Sequence, residues 1–200
     1  MNIKKCLWLF FLCFLSAPSI QAQRNYIDIP NYILCINSYA ESTPWSTRMI
    51  STISEYVQKD PQLALYAEHM NTFMIDNDSI LKEFKNMLSQ KYTQPHPRLL
   101  VLLGSPAFTL RDEYRKLWGD IPIVLCSEEA FQGPHEAYLQ KQAIKLKDRT
   151  PIAQFSKPYN MVFLYSELYL RENVQLINHI KPNIKKFIFI GDKREVNLSA

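Results

Sequence analysis

Two hundred residues with an apolar fraction of 47% suffice for one ordinary domain, or for one domain and part of a second, and nothing in the chain is repeated or low in complexity. Lys and Arg number 23 against 19 Asp and Glu, a formal net charge of +4. The only paired Lys-Lys near the start is Lys4-Lys5, and no basic run follows of the kind a nucleic-acid partner requires, so none is expected.

The N-terminus has the layout of a secretory signal: a basic Met1 to Lys5, an uninterrupted apolar Cys6 to Leu15, a break at Pro18, and the small residue Ala22 before Gln23. Residues 1–22 are therefore expected to be a signal peptide and the protein to be exported to the periplasm. A retained anchor is the competing reading, but Cys6 to Ile20 falls short of the roughly 20 apolar residues a spanning helix needs. Cleavage leaves Cys35 and Cys126, both inside apolar runs. Buried free thiols are the expectation, and a disulfide requires Cα atoms within about 7 Å.

Tyr32 to Ile36 is a short apolar run without alternation, as in a strand buried on both faces. A polar loop from Asn37 follows, then an amphipathic helix with Ser46 as its N-cap and a stripe of Met49, Ile50, Ile53, Tyr56 and Val57. Leu63 to Glu68 is a second strand, whose mixed pattern suits a sheet edge. Asp76 or Asp78 is expected to cap a second helix with the stripe Leu81, Phe84, Met87, Leu88 and Tyr92, ended by Pro95 and Pro97. Leu99 to Leu103 is the clearest buried strand. It runs into Gly104-Ser105-Pro106-Ala107, where Ser105 as N-cap and Pro106 as N1 are expected to open a third helix bearing Ala107, Leu110, Tyr114, Leu117 and Trp118. Gly119-Asp120 closes it, and Ile121 to Cys126 is a fourth strand.

Strands alternating with helices predict an α/β fold with a doubly wound parallel sheet. The first lobe is expected over residues 23–130, a domain crossover with one modest helix near His135 to Lys147 over 131–160, and a second lobe over 161–200. That second lobe would contain the strand Met161 to Leu164, the helix Leu168 to Ile180 and the strand Lys186 to Ile190, too few elements to cover a sheet, so it is expected to be truncated where the first lobe is complete.

The segments Ile33-Leu34-Cys35-Ile36-Asn37-Ser38-Tyr39 with Pro44-Trp45-Ser46, Ile121 to Cys126, and His179 to Lys186 leading to Gly191-Asp192 give the chain a resemblance. It resembles the periplasmic ABC-type substrate-binding-protein-like sensor region of bacterial hybrid two-component histidine kinases. The resemblance implies a periplasmic-binding-protein-like pair of lobes that clamps a small molecule and passes closure to a kinase, in a parent anchored in the inner membrane beyond residue 200. A homodimer through the full sensor belongs to the same implication. The chain departs from that pattern at Asn71, where an acidic residue is usual, and at Ser127-Glu128-Glu129, where a glycine-containing turn is usual.

Ligands of open parallel sheets lie outside the carboxyl ends of the strands. Ser38, Tyr39, Trp45 and Ser105 are therefore the candidates for one wall of a ligand cleft, with Glu128 facing it and Tyr165, Glu167 and Asp192 available for the opposite wall. The hydroxyl of Ser105 and the unpaired N–H groups of its helix start would suit an anionic ligand group. Five of these residues have a plainer alternative: Trp45 as a hydrophobic staple, Ser38 and Tyr39 as caps of loop backbone, Ser105 as a plain N-cap, Glu128 as a solvated loop carboxylate. The four histidines are scattered, Asp76-Asn77-Asp78 lacks the later positions of a calcium loop, and no nucleophile elbow or phosphate loop is present. No catalytic residues, metal or cofactor are expected. A free substrate-binding protein feeding a transporter and a secreted α/β enzyme are the competing functions.

Overall fold

A computed structural model describes residues 30–75, 77–165, 169–188 and 190. The signal-peptide expectation, Glu167 and Asp192 lie outside those residues. The fold is α/β around a five-stranded, all-parallel sheet of β1 (Tyr32–Asn37), β2 (Ala64–His69), β3 (Leu99–Leu103), β4 (Ile123–Ser127) and β7 (Met161–Tyr165), in the order β2-β1-β3-β4-β7. A small antiparallel pair, β5 (Phe131–Gln132) with β6 (Thr150–Pro151), lies between β4 and β7 in the chain. The helices are α1 (Pro44–Val57), α2 (Asp78–Lys91), α3 (Ser105–Phe108), α4 (Arg111–Trp118), α5 (His135–Leu139) and α6 (Leu170–Ile180). Among the described residues no helix is long and apolar enough to cross a membrane.

The apolar runs form central strands because both of their faces are covered. On one face Tyr32, Leu34, Ile36, Leu100, Leu102, Ile123 and Leu125 pack under Leu81 and Leu88 of α2 and Phe108, Tyr114 and Trp118 of α3 and α4. On the other, Cys35, Val101, Leu103 and Cys126 meet Trp45, Met49, Ile50 and Ile53 of α1. β2, whose pattern is mixed, sits at the edge. Tyr56, expected in the apolar stripe of α1, is 67% exposed and lies under the Lys59 ammonium instead.

Several helix starts differ from expectation for local reasons. Pro44 at the first position of α1 moves the N-cap to Thr43, so Ser46 falls inside the first turn and is buried. Asn77 caps α2, its Oδ1 accepting from the Ser79 and Ile80 N–H groups, in place of either neighbouring aspartate. The third helix divides into α3 and α4 at Thr109-Leu110, and Gly104, not Ser105, is the cap residue of α3.

The largest correction concerns Met161–Tyr165. This strand pairs with β4 from Ile123↔Met161 to Ser127↔Tyr165 and completes the first sheet; it does not open a second one. The intervening stretch packs onto the same core, with Ile152 wholly buried, Tyr138 and Ile144 nearly so, and α5 much shorter than expected. Residues 186–188 and 190, expected as a strand, have no strand partner among the described residues, and Phe187, Ile188 and Ile190 are exposed.

Candidate functional site at the carboxyl edge of the sheet

β1 lies between β2 and β3, and the connection after β1 leads outward to β2 while that after β3 leads the other way to β4, over opposite faces of the sheet. This is the switch point at which open parallel sheets form a crevice. Here the crevice floor is closed by the chain's own groups, and Ser38 is the hub. Its N–H donates to the Leu103 carbonyl at 2.8 Å. Its carbonyl accepts from both the N–H and the Oγ1 of Thr72, each at 2.8 Å. Its hydroxyl donates to the Gly104 carbonyl at 3.2 Å and accepts from the Ala107 N–H at 2.8 Å. One serine, wholly buried, thus ties the loops after β1, β2 and β3 together.

Gly104 is the residue that permits this approach. Its φ of +90° is one that L side chains rarely adopt, and a Cβ there would stand 2.8 Å from Ser38 Oγ and 2.9 Å from the Tyr39 hydroxyl. Beside it Ser105 and Ser127, both buried, share a hydroxyl hydrogen bond of 2.7 Å, and Ser127 Oγ also accepts the Glu129 N–H. Ser105 is therefore bonded to the end of β4 and forms part of the crevice floor. Of the N–H groups expected to be free at this helix start, that of Ala107 is taken by Ser38 Oγ, and α3 is a single turn.

The rim carries the groups that a ligand could meet. Tyr39, 8% exposed, directs its hydroxyl to Glu128 Oε2 at 3.5 Å. Trp45 is half-buried and meets the Tyr39 ring edge to face, with centroids 5.8 Å apart and planes at 88°. Tyr39, Trp45 and Glu128 are thus brought together at the ends of β1 and β4. Tyr165 lies at the same sheet edge, opposite Ser127 in register, but it is stacked on Phe163, whose contacts belong to the face away from α1.

Asn37 and Ser127 were missing from the sequence-derived site, and both are buried. Asn37 Oδ1 accepts the Tyr39 N–H, while its Nδ2 lies 3.1 Å from Ser46 Oγ and 2.9 Å from His69 Nδ1. The amide therefore locks the first loop to β2 and α1. A polar residue at the very end of a buried strand was the available signal. The two thiols are buried and free. Burial, reinforced by the neighbouring Cys126, raises the Cys35 pKa to about 12, and burial raises that of Cys126 as well. Among the described residues no group of three or more His, Cys, Asp or Glu could hold a metal ion.

The chain matches no protein-family model, no curated protein and no solved structure.

Proposed function

We propose that the protein is the exported, ligand-binding input module of a two-component histidine kinase, with the carboxyl edge of the sheet as one wall of its ligand site. In this reading the five-stranded sheet is the first lobe of a periplasmic-binding-protein-like pair, and the segment from α6 onward begins the second. The observation that carries the reading is the convergence of Tyr39, Trp45 and Glu128 on a rim built over the β1–β3 switch point, with a floor of Asn37, Ser38, Ser105 and Ser127 already saturated by internal hydrogen bonds. A saturated floor positions rim groups rigidly, which suits recognition more than chemistry.

Calorimetric titration of the protein with a panel of small polar metabolites tests it. At least one compound should bind saturably, and Trp45→Ala should weaken that binding about tenfold by removing apolar rim surface. The exposed α1 substitution Glu55→Ala should leave it unchanged. Binding that is indifferent to Trp45→Ala, in a variant that stays folded, would place the site elsewhere. Recovery of the protein from the periplasm with Gln23 at its N-terminus tests export, and an intact Met1 in the membrane fraction would contradict it.

A further inference from the structure

We propose that His69 is a pH-sensitive lock on the loop that carries Tyr39: neutral, it holds the Asn37 amide that fixes this loop, and protonated, it releases it. This deepens the proposed ligand-binding reading, as regulation of the same site, and rests on it for what the lock controls. The hydrogen bonds around Asn37 leave one arrangement. A backbone N–H donates and never accepts, so the Asn37 atom that meets the Tyr39 N–H at 3.2 Å is Oδ1, and Nδ2 faces the other way. There Nδ2 lies 3.1 Å from Ser46 Oγ and 2.9 Å from His69 Nδ1. Ser46 Oγ gives its own proton to the Thr43 carbonyl at 3.2 Å and so accepts from Nδ2. The second Nδ2 proton goes to His69 Nδ1, which is therefore the bare nitrogen of a neutral ring whose proton sits on Nε2.

An added proton enters at that same Nδ1 and sets a donor against a donor. Asn37 is wholly buried, so solvent does not replace a lost partner. If the ring swings away, an Nδ2 proton is stranded; if the amide turns over to offer Oδ1 to the imidazolium, the Tyr39 N–H is stranded instead. The second response is favoured, because a charged donor makes a hydrogen bond roughly twice as strong as a neutral one does. Acid is thereby passed from the edge strand to the rim. The ionisable groups of the surrounding elements are engaged elsewhere or exposed. Glu68, next along β2, takes Lys91 Nζ at 2.6 Å, and Cys35 of β1 keeps its proton to about pH 12. Glu41 in the loop and Arg48 and Glu55 of α1 are exposed, Glu128 stands beside the Tyr39 hydroxyl, and residues 70–75 carry no charged side chain. Among the described residues the His69 ring makes no ion pair.

Nuclear magnetic resonance of the ligand-free protein tests the lock. At pH 8 the His69 ring should carry its proton on Nε2, with Nδ1 bare. Between about pH 8 and pH 5, where histidines change charge, the Asn37 side-chain amide and the Tyr39 backbone N–H should shift in step with the His69 ring. Over the same range the protection of the Tyr39 N–H against hydrogen exchange, relative to its intrinsic rate, should fall about fivefold, while that of Leu102 in β3 stays constant. His69→Asn puts a carbonyl that does not titrate in place of Nδ1, and there the Tyr39 protection should vary by less than about twofold. A proton on Nδ1 at pH 8, an Asn37 amide indifferent to the charge on His69, or an equal fall of protection in His69→Asn would each overturn the inference. None of these measurements involves a ligand, so any of those results leaves the binding reading standing, and failure of the calorimetric panel would remove the site without touching the lock.

Discussion

Ser38 and Gly104 show how a residue that looks like a ligand contact can be a structural joint. Ser38→Ala keeps the backbone bonds to Leu103 and Thr72 but strands the buried Ala107 N–H, which costs about 1–3 kcal/mol. Urea denaturation of the variant should show that loss in the midpoint with the slope unchanged. Gly104→Ala is more severe, because a strained φ costs about 1–3 kcal/mol and the new methyl must also push back Ser38 Oγ and the Tyr39 hydroxyl. Its melting temperature should fall further than that of Ser38→Ala. A Gly104→Ala variant as stable as wild type would mean that Ser38 and Tyr39 do not close over the glycine. Pro106 was visible in the sequence as a helix-start residue, whereas the positive φ of Gly104 depends on how near β1 comes to β3, which is a tertiary fact.

The strands and helices were largely legible from the period of their apolar residues, as the packing of Leu81 and Leu88, of Tyr114 and Trp118, and of Met49, Ile50 and Ile53 shows. What was not legible was membership. Met161–Tyr165 has the pattern of any strand, and its pairing with β4 is set by the length and packing of the intervening stretch around Ile152. Sheet register also decides the chemistry of the cysteines. Cys35 pairs with Val101, and Cys126 pairs with Leu103, so β3 runs between the two thiols. Strands spaced about 4.8 Å apart put their Cα atoms beyond disulfide reach. Both thiols should remain free under air and resist a thiol reagent such as dithionitrobenzoate until the protein unfolds.

Their titration gives the alkaline behaviour a sign. The folded state holds the Cys35 proton up to about pH 12, against an ordinary value of 9.0, so the native state binds more protons than the unfolded state in between. This contribution to stability is complete below pH 9 and declines by roughly 1.4 kcal/mol per pH unit as pH rises toward 12. Burial also raises the tyrosines Tyr32, Tyr92 and Tyr114, which act in the same direction at still higher pH. In Cys35→Ser the alkaline fall of the urea midpoint between pH 9 and 11 should be shallower. An equally steep fall would mean that the thiol is not the group responsible.

At the scale of the molecule, α1 covers the β1–β3 part of its sheet face, while Val162 and Leu164 on the same face are 59% and 54% exposed. Every residue of α6 is exposed, including Leu176 and Ile180. Among the described residues, the buried contacts of the core therefore lie before residue 166. Limited proteolysis should remove residues after Tyr165 early and leave a resistant product that still contains β1 to β7. Uniform resistance through α6 would show that the helix is packed against something that protects it.

The carboxyl edge of the sheet is the claim on which the functional reading depends, and nuclear magnetic resonance of the isotopically labelled protein tests it directly. A compound that binds saturably in the calorimetric panel should shift the Trp45 indole N–H together with the backbone N–H groups of Tyr39 and Glu128, which belong to different strand ends, while Lys59, Arg98 and Lys157 at the opposite edge stay in place. Shifts confined to that opposite edge, or spread evenly over the surface without reaching Trp45, would contradict a ligand site built over the β1–β3 switch point.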